Sequence, residues 1–123
     1  MGSNLFNVDS SSELSNTIIT FHSKAEWNAH FNALEETHNL MVVDFSAKWC
    51  GPCKIMDPFI QEFAAKYTNA EFIKIDVDEL MVSQAFQVQA LPTFILIKRG
   101  KVVDRVIGVR KEELQRMIEK HTT

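Results

Sequence analysis

The chain has 123 residues, of which 46% are hydrophobic, and a formal net charge of −3. This length is typical of one domain with a modest apolar core. The small negative charge gives no general affinity for nucleic acid. Two cysteines are far fewer than a secreted disulfide scaffold contains, which favours a cytoplasmic protein.

Residues 1–16 are predicted to form a flexible polar N-terminal extension, and residues 17–123 to form the single domain. The extension contains five serines and no Lys or Arg, so it resembles neither a secretory signal nor an Arg-rich presequence. Its Met1-Gly2 start resembles an N-myristoylation motif, although Phe6 stands where the motif has Ser or Thr. Gly2 is therefore a candidate acyl acceptor, and we expect peripheral membrane association only if it is acylated.

The first half of the domain predicts strand, helix, strand and helix in that order. Residues 17–21 are rich in β-branched side chains, and a capping-box pattern at residues 23–26 predicts a helix over 24–36. The apolar run at 40–46 indicates a central parallel strand that is buried on both faces.

A second helix is predicted over residues 50–67. Pro52 is compatible with its first turn, whereas Pro58 removes a backbone hydrogen bond and is expected to kink it. The residues predicted to share its apolar face are Ile55, Phe59, Ile60, Phe63, Ala64 and Tyr67.

The second half predicts a strand at 71–76, a short helix at 80–86, a β-hairpin over 93–107 and a terminal helix at 111–120. The complete order is β-α-β-α-β-α-β-β-α. This order predicts an α/β fold with a central mixed β-sheet and helices on both faces.

The two cysteines lie in the tetrapeptide Cys50-Gly51-Pro52-Cys53, where the central strand passes into the second helix. A zinc site needs about four ligands, and the four histidines do not supply a suitably spaced pair, so no metal is expected. A structural disulfide across so short a loop would add only about 2 kcal/mol. The tetrapeptide is therefore best interpreted as a redox-active pair.

The segment from Val43 to Lys54 resembles the active-site segment of the thioredoxin family. Further landmarks of that family recur in order over about residues 17–120: Pro58, residues 74–78, residues 91–94, Gly100 and Gly108. Glutaredoxins usually have Pro-Tyr between the cysteines and disulfide isomerases Gly-His, so Gly-Pro favours thioredoxin. Ser46 and the polar extension are similar to plant h-type thioredoxins, especially the subgroup with a Met-Gly start. The resemblance implies the thioredoxin fold.

The resemblance also implies a protein-disulfide reductase. Cys50, at a helix N-terminus that favours the thiolate, would be the partly exposed nucleophile, and Cys53 the buried resolving thiol. A carboxylate within an apolar strand is costly unless it has a partner or a raised pKa. The resemblance implies that Asp44 is the proton acceptor for Cys53, and the alternative is a strand-end residue that makes a local polar cap. Lys74 would modulate Asp44, or be an ordinary surface lysine.

The same resemblance makes Pro92 a cis-proline beside the disulfide, with the Leu91 backbone pairing with a substrate strand. Trp49 is the strongest candidate for substrate contact, whereas Trp27 is expected in the core. The predicted substrate-binding residues are Trp49, Gly51, Pro52, Ala90, Leu91, Pro92, Ile107, Gly108 and Val109.

The expected partners are client proteins that carry disulfides and an NADPH-dependent thioredoxin reductase, with glutaredoxin as an alternative electron donor. No cofactor is expected besides the redox-active disulfide itself. Two other classes of function remain open at this point. One is a glutathione-coupled, glutaredoxin-like oxidoreductase, and the other is a thioredoxin-fold binding module without catalytic turnover.

Overall fold

The structure is a computed structural model that describes residues 17–35, 37 and 39–122. The predicted extension at residues 1–16 therefore lies outside the described residues. Five strands and three helices are formed within the described part. Their bounds are β1 (Ile18–Thr20), α1 (Lys24–Leu34), β2 (Leu40–Ser46), α2 (Gly51–Lys66), β3 (Ala70–Asp76), β4 (Thr93–Lys98), β5 (Lys101–Ile107) and α3 (Lys111–His121).

The five strands form one mixed sheet in the order β1-β3-β2-β4-β5. Strands β1, β3 and β2 are parallel, whereas β4 runs antiparallel to β2 and pairs with β5 in a hairpin. Arg99 and Gly100, which join β4 to β5, both have positive φ, as a two-residue hairpin turn requires. The predicted mixed sheet is thus confirmed, and β2 lies at its centre.

Alternate residues of β2 contribute to two hydrophobic clusters on opposite faces of the sheet. Leu40 and Val42 pack with side chains of α2 and α3, whereas Met41 and Val43 pack with Trp27 of α1. This period of two is the ordinary geometry of a strand. It places Asp44, two residues after Val42, on the α2 side of the sheet. The prediction that Trp27 lies in the core is confirmed.

Helix α2 continues through Pro58 to Lys66, and its core-facing side agrees with the predicted face except at Ile55. Ile55 is 56% exposed, so its assignment to the buried face was wrong. The buried residues of the helix recur at intervals of three and four, as expected for one face of an α-helix. This face includes Met56 and leaves the preceding residue, Ile55, exposed. The buried residues are Cys53, Met56, Ile60, Phe63 and Ala64.

The helix predicted at residues 80–86 is largely absent. The chain forms successive turns after β3, and only Gln84–Phe86 makes a single turn of 3₁₀-helix. Leu80 and Val82 are both buried. Two buried residues two positions apart do not fit one face of an α-helix, so turns satisfy their burial better.

Candidate active site

The cysteine pair lies where the central strand β2 leads into α2. Cys50 is the N-cap residue of α2, and its sulfur accepts a hydrogen bond of 3.1 Å from the backbone N–H of Cys53. The two sulfurs form a disulfide, with 5.3 Å between the Cα atoms. Because the first turn of a helix has unpaired N–H groups and a positive dipole end, a Cys50 thiolate would be stabilised there once the pair is reduced.

The disulfide is covered by apolar side chains, and each sulfur-bearing residue borders a different cavity. Cys50 is only 4% exposed, so the expected partial exposure of Cys50 is wrong for this oxidised state. Ala47, Val77 and Leu91 pack against the pair. Cys50 lines an open groove of about 530 Å³, whereas Cys53 lines a second cavity of about 470 Å³. The two cysteines therefore border different cavities, although neither is exposed in the disulfide.

The groove beside Cys50 contains five of the predicted substrate-binding residues: Trp49, Gly51, Pro52, Ala90 and Leu91. Four further residues of its lining were not predicted from the sequence: Val77, Ser83, Val88 and Gln89. They belong to the turns between β3 and β4, for which the sequence predicted a helix in part. Only the folded course of these turns brings them beside the disulfide.

Pro92 is not part of the lining of this groove. The Leu91–Pro92 peptide bond is cis, as the family resemblance implied, and the Pro92 ring is buried. Its carbonyl accepts a hydrogen bond of 2.9 Å from the Gly108 backbone N–H. This bond holds the segment that contains the exposed Ile107 and Val109 close to the cis bond. Ile107 lines a neighbouring groove that shares Val88, Gln89 and Ala90 with the first.

The indole of Trp49 is 69% exposed next to the disulfide. Its Nε1–H donates a hydrogen bond of 2.7 Å to a carboxylate oxygen of Asp78. The Asp78 backbone N–H in turn donates to Asp76 Oδ1 over 2.9 Å. Asp78 was not among the predicted site residues, because nothing in the sequence relates it to a tryptophan 29 positions earlier.

Asp44 is a buried carboxyl group on the α2 side of the sheet. It is 3% exposed, and its Oδ1 has no hydrogen-bond partner among the described residues. Burial raises the pKa of Asp44 to about 7, while the positive charge of Lys74 opposes this rise and the negative charge of Asp57 adds to it. Such a carboxyl can hold or release a proton near neutral pH, which a local polar cap would not require.

Lys74 lies opposite Asp44 in the register of the parallel strands β2 and β3. Its ammonium, however, forms an ion pair with Asp57 of α2, with 3.0 Å between Nζ and Oδ1. All three side chains border one cavity of about 210 Å³. Lys74 and Asp57 also line the cavity beside Cys53. Asp44 and Lys74 were predicted from the sequence as site residues, whereas Asp57 was not.

Neither a metal cluster nor a membrane-spanning helix is found in the part of the chain that the structure describes. No group of three or more His, Cys, Asp or Glu side chains within residues 17–35, 37 and 39–122 is placed to hold a metal ion. No helix in these ranges is long and apolar enough to cross a bilayer.

Comparison with known proteins agrees with this geometry. The family model described as Thioredoxin matches residues 18–120. The chain is 48% identical to Thioredoxin H2 of Arabidopsis thaliana over 104 residues, covering 84% of this chain and 78% of the relative. It is 47% identical to Thioredoxin H-type 1 of Nicotiana tabacum, covering 92% and 90%. The crystal structure of thioredoxin NaTrxh from Nicotiana alata superposes with a TM-score of 0.84 at 55% identity, covering 92% of this chain and 98% of that one.

A disulfide between two cysteines at the start of a helix, beside a cis-proline in a mixed five-stranded sheet, defines a thiol-disulfide oxidoreductase. The chain belongs to the thioredoxin family, and it is most similar to plant h-type members. It is therefore a protein-disulfide reductase that works through Cys50 and Cys53. The predicted fold, family and activity are confirmed, and members of this family typically work with a thioredoxin reductase and disulfide-bearing targets.

Proposed function

We propose that the chain reduces disulfides of client proteins in the cytoplasm and is re-reduced by an NADPH-dependent thioredoxin reductase. The observation that carries this proposal is the division between the two cysteines. Cys50 borders the open groove with Trp49, whereas Cys53 borders a separate cavity. A client segment that binds in the groove would lie beside Cys50 rather than Cys53, which leaves Cys53 for the resolving step.

The reaction proceeds in two displacements. The Cys50 thiolate attacks a client disulfide, forms a mixed disulfide, and releases one client sulfur as a thiolate that takes a proton from water. Cys53 then loses its proton to the Asp44 carboxylate and attacks the Cys50 sulfur. The second client thiolate departs, and Cys50 and Cys53 remain joined as the disulfide. Two electrons have passed to the client, and the reductase restores them from NADPH.

Lys74 would adjust the affinity of Asp44 for that proton, because its positive charge favours the ionised carboxyl. The groove residues would hold the client segment beside Cys50. The exposed indole of Trp49 supplies apolar contact area, and the Leu91 backbone supplies hydrogen-bonding groups for an extended strand.

A two-step thiol assay tests these roles. The reduced protein is mixed with excess dithiobis(nitrobenzoate), and the released thionitrobenzoate is followed by absorbance. Wild type should release two equivalents, one from attack by Cys50 and one from displacement by Cys53, whereas Cys53→Ser should release one and Cys50→Ser should lack the fast phase. A Cys53→Ser protein that keeps both phases would reject the assigned order.

The same assay isolates the role of Asp44. Asp44→Asn should slow the second phase by about tenfold or more and leave the first nearly unchanged, since only the resolving step needs a proton acceptor. Glu62→Gln, which removes an exposed carboxylate from α2, is the matched control. Equal slowing of both phases in Asp44→Asn would contradict the proton-acceptor role.

The electron donor is tested by supplying the oxidised protein with either NADPH and thioredoxin reductase or glutathione with glutaredoxin. The first mixture should reduce it faster. Faster reduction by the second mixture would favour the glutathione-coupled alternative, and no turnover of a protein disulfide with either donor would leave only a binding module.

The cytoplasmic location is proposed because a pair that acts as a reductant works best where thiols are kept reduced. Gly2 stays a predicted acyl acceptor that lies outside the described residues. The intact mass of the protein from its native source tests this prediction. An added acyl mass would support membrane association, and an unmodified Gly2 would remove it.

A further inference from the structure

The cavity that Asp44 borders contains one carboxylate that the two-displacement mechanism leaves without a role. Asp57 lies on α2, one helical turn after Cys53, and is only partly exposed. It faces both the cavity of Asp44 and the cavity of Cys53. Lys74 is the other charged side chain that borders both cavities.

The ammonium of Lys74 has two carboxylates within its surroundings but pairs with one of them. Strand register places Lys74 beside Asp44, whereas the observed ion pair of 3.0 Å is with Asp57. Asp44 is left with an oxygen that has no hydrogen-bond partner among the described residues. A buried carboxylate next to a lysine would ordinarily take that lysine as its partner.

We propose that Asp57 is a positioning residue that binds the Lys74 ammonium and thereby keeps it from pairing with Asp44. The inference deepens the proposed function, on which it rests, because a carboxylate without an ion-pair partner is the stronger acceptor for the proton of Cys53. Asp57 does not touch the reacting sulfurs in this scheme. It acts through Lys74.

The surroundings of Asp44 support this assignment from each element packed against it. Strand β4 presents Phe94 in register with Asp44, and strand β1 contributes Ile18 and Thr20 to its cavity. None of these three side chains carries a charge. Among the described residues, the charged groups that act on Asp44 are therefore Lys74 of β3 and Asp57 of α2. The Cys53 thiol is a further titratable group once the pair is reduced.

Loss of Asp57 would act on Asp44 in two ways. The repulsion between the two carboxylates would disappear, and the released ammonium could turn to Asp44. Both changes favour the ionised form of Asp44. The second change depends on Lys74 and the first does not, so variants at both positions can separate them.

The experiment is an NMR titration of the Asp44 side-chain carboxyl carbon in the oxidised full-length protein. Asp57→Asn should lower the titration midpoint by about one pH unit, whereas Asp57→Glu, which keeps the charge, should retain the wild-type midpoint. Glu62→Gln is the matched control, since Glu62 is exposed on the same helix and borders none of these cavities. It should leave the midpoint unchanged.

The decisive comparison repeats Asp57→Asn in a Lys74→Met background. A positioning role predicts a clearly smaller shift there than in wild type. An equal shift in both backgrounds would mean that Asp57 acts on Asp44 only by direct repulsion. No shift in either background would mean that Asp57 has no influence on the Asp44 midpoint. Either result overturns the proposal. The titration needs no turnover, so its failure is distinguishable from failure of the reductase function.

In the thiol assay, the pH at which the second phase reaches half its maximal rate should move downward in Asp57→Asn.

Discussion

The indole of Trp49 donates a hydrogen bond of 2.7 Å to the carboxylate of Asp78 across the rim of the groove beside Cys50. The bond joins the residue before the nucleophile to the turn after β3. It holds a large exposed ring in one orientation without burying it. A client would therefore meet a contact surface that is already ordered.

Removing this bond should weaken client binding more than the chemical steps. Asp78→Ala is expected to raise KM for a protein disulfide roughly threefold, since one hydrogen bond to a charged group is lost from a solvent-exposed site. The change in kcat should be small. Steady-state kinetics with a disulfide-containing protein measures both constants. Glu112→Gln, an exposed carboxylate on α3, is the control, and an unchanged KM in Asp78→Ala would show that the bond does not order the groove.

Asp44 makes the stability of the oxidised protein depend on pH. Its pKa is raised by burial from 3.8 to about 7, so the folded state binds the proton more tightly than the unfolded chain does. Stability should therefore fall as pH rises from about 4 to about 7 and then level off. The loss from this group is at most about 4 kcal/mol.

Asp44→Asn should remove this loss. Urea unfolding at several pH values should show the variant gaining on wild type as pH rises from about 4 to about 7. A stability difference that does not change over this range would mean that Asp44 titrates alike in both states. Glu62→Gln again serves as the exposed control.

Two apolar residues of α2 that were predicted to share its buried face should lose very different amounts of stability on truncation. Phe63 is fully buried, whereas Ile55 is more than half exposed. Phe63→Ala should cost about 3–5 kcal/mol because it leaves a cavity in the core. Ile55→Ala should change the free energy of unfolding by less than about 0.5 kcal/mol. Chemical denaturation measures the free energy of unfolding of both variants. Similar losses in the two variants would contradict the observed buried face of α2.

Gly108 should be harder to replace than Gly51. Gly108 has φ of +90°, a conformation that side chains with a Cβ rarely adopt, although a Cβ would meet no atom within 4 Å there. Gly108→Ala is therefore expected to cost roughly 1 kcal/mol through backbone strain alone. Gly51→Ala has the same open space but no positive φ, and should be nearly neutral. Thermal unfolding of the two variants distinguishes them.

Much of the fold could be predicted because its signals are local. The apolar run of β2 and the glycine of the β4–β5 turn specify their elements within a few residues, and Ser23 caps α1 through the Glu26 backbone N–H as predicted. The prediction of a helix at residues 80–86 was wrong because Leu80 and Val82 are buried against the strands of the sheet, which local sequence does not reveal. The assignment of Ile55 to the buried face of α2 was wrong because α2 has several apolar residues, and these allow more than one choice of buried face.

Some residues of the candidate site could likewise be predicted from the sequence, and others could not. Cys50, Cys53 and Asp44 stand out in the sequence because a close thiol pair and a carboxylate within an apolar strand are chemically unusual wherever they occur. Asp57 and Asp78 do not, since a single acidic residue on a helix or in a turn is ordinary. Their partners, Lys74 and Trp49, are 17 and 29 positions away along the chain.

The residues alone are enough to predict a redox dithiol at the end of a central strand, within a mixed sheet. Spacing and residue type are sufficient for that conclusion. The folded structure is needed to establish which cysteine borders the groove, which turns line the groove, and which carboxylate binds Lys74. Those relationships depend on how α2 and the turns after β3 pack against the sheet, and such contacts join residues whose separation along the chain carries no periodic signal.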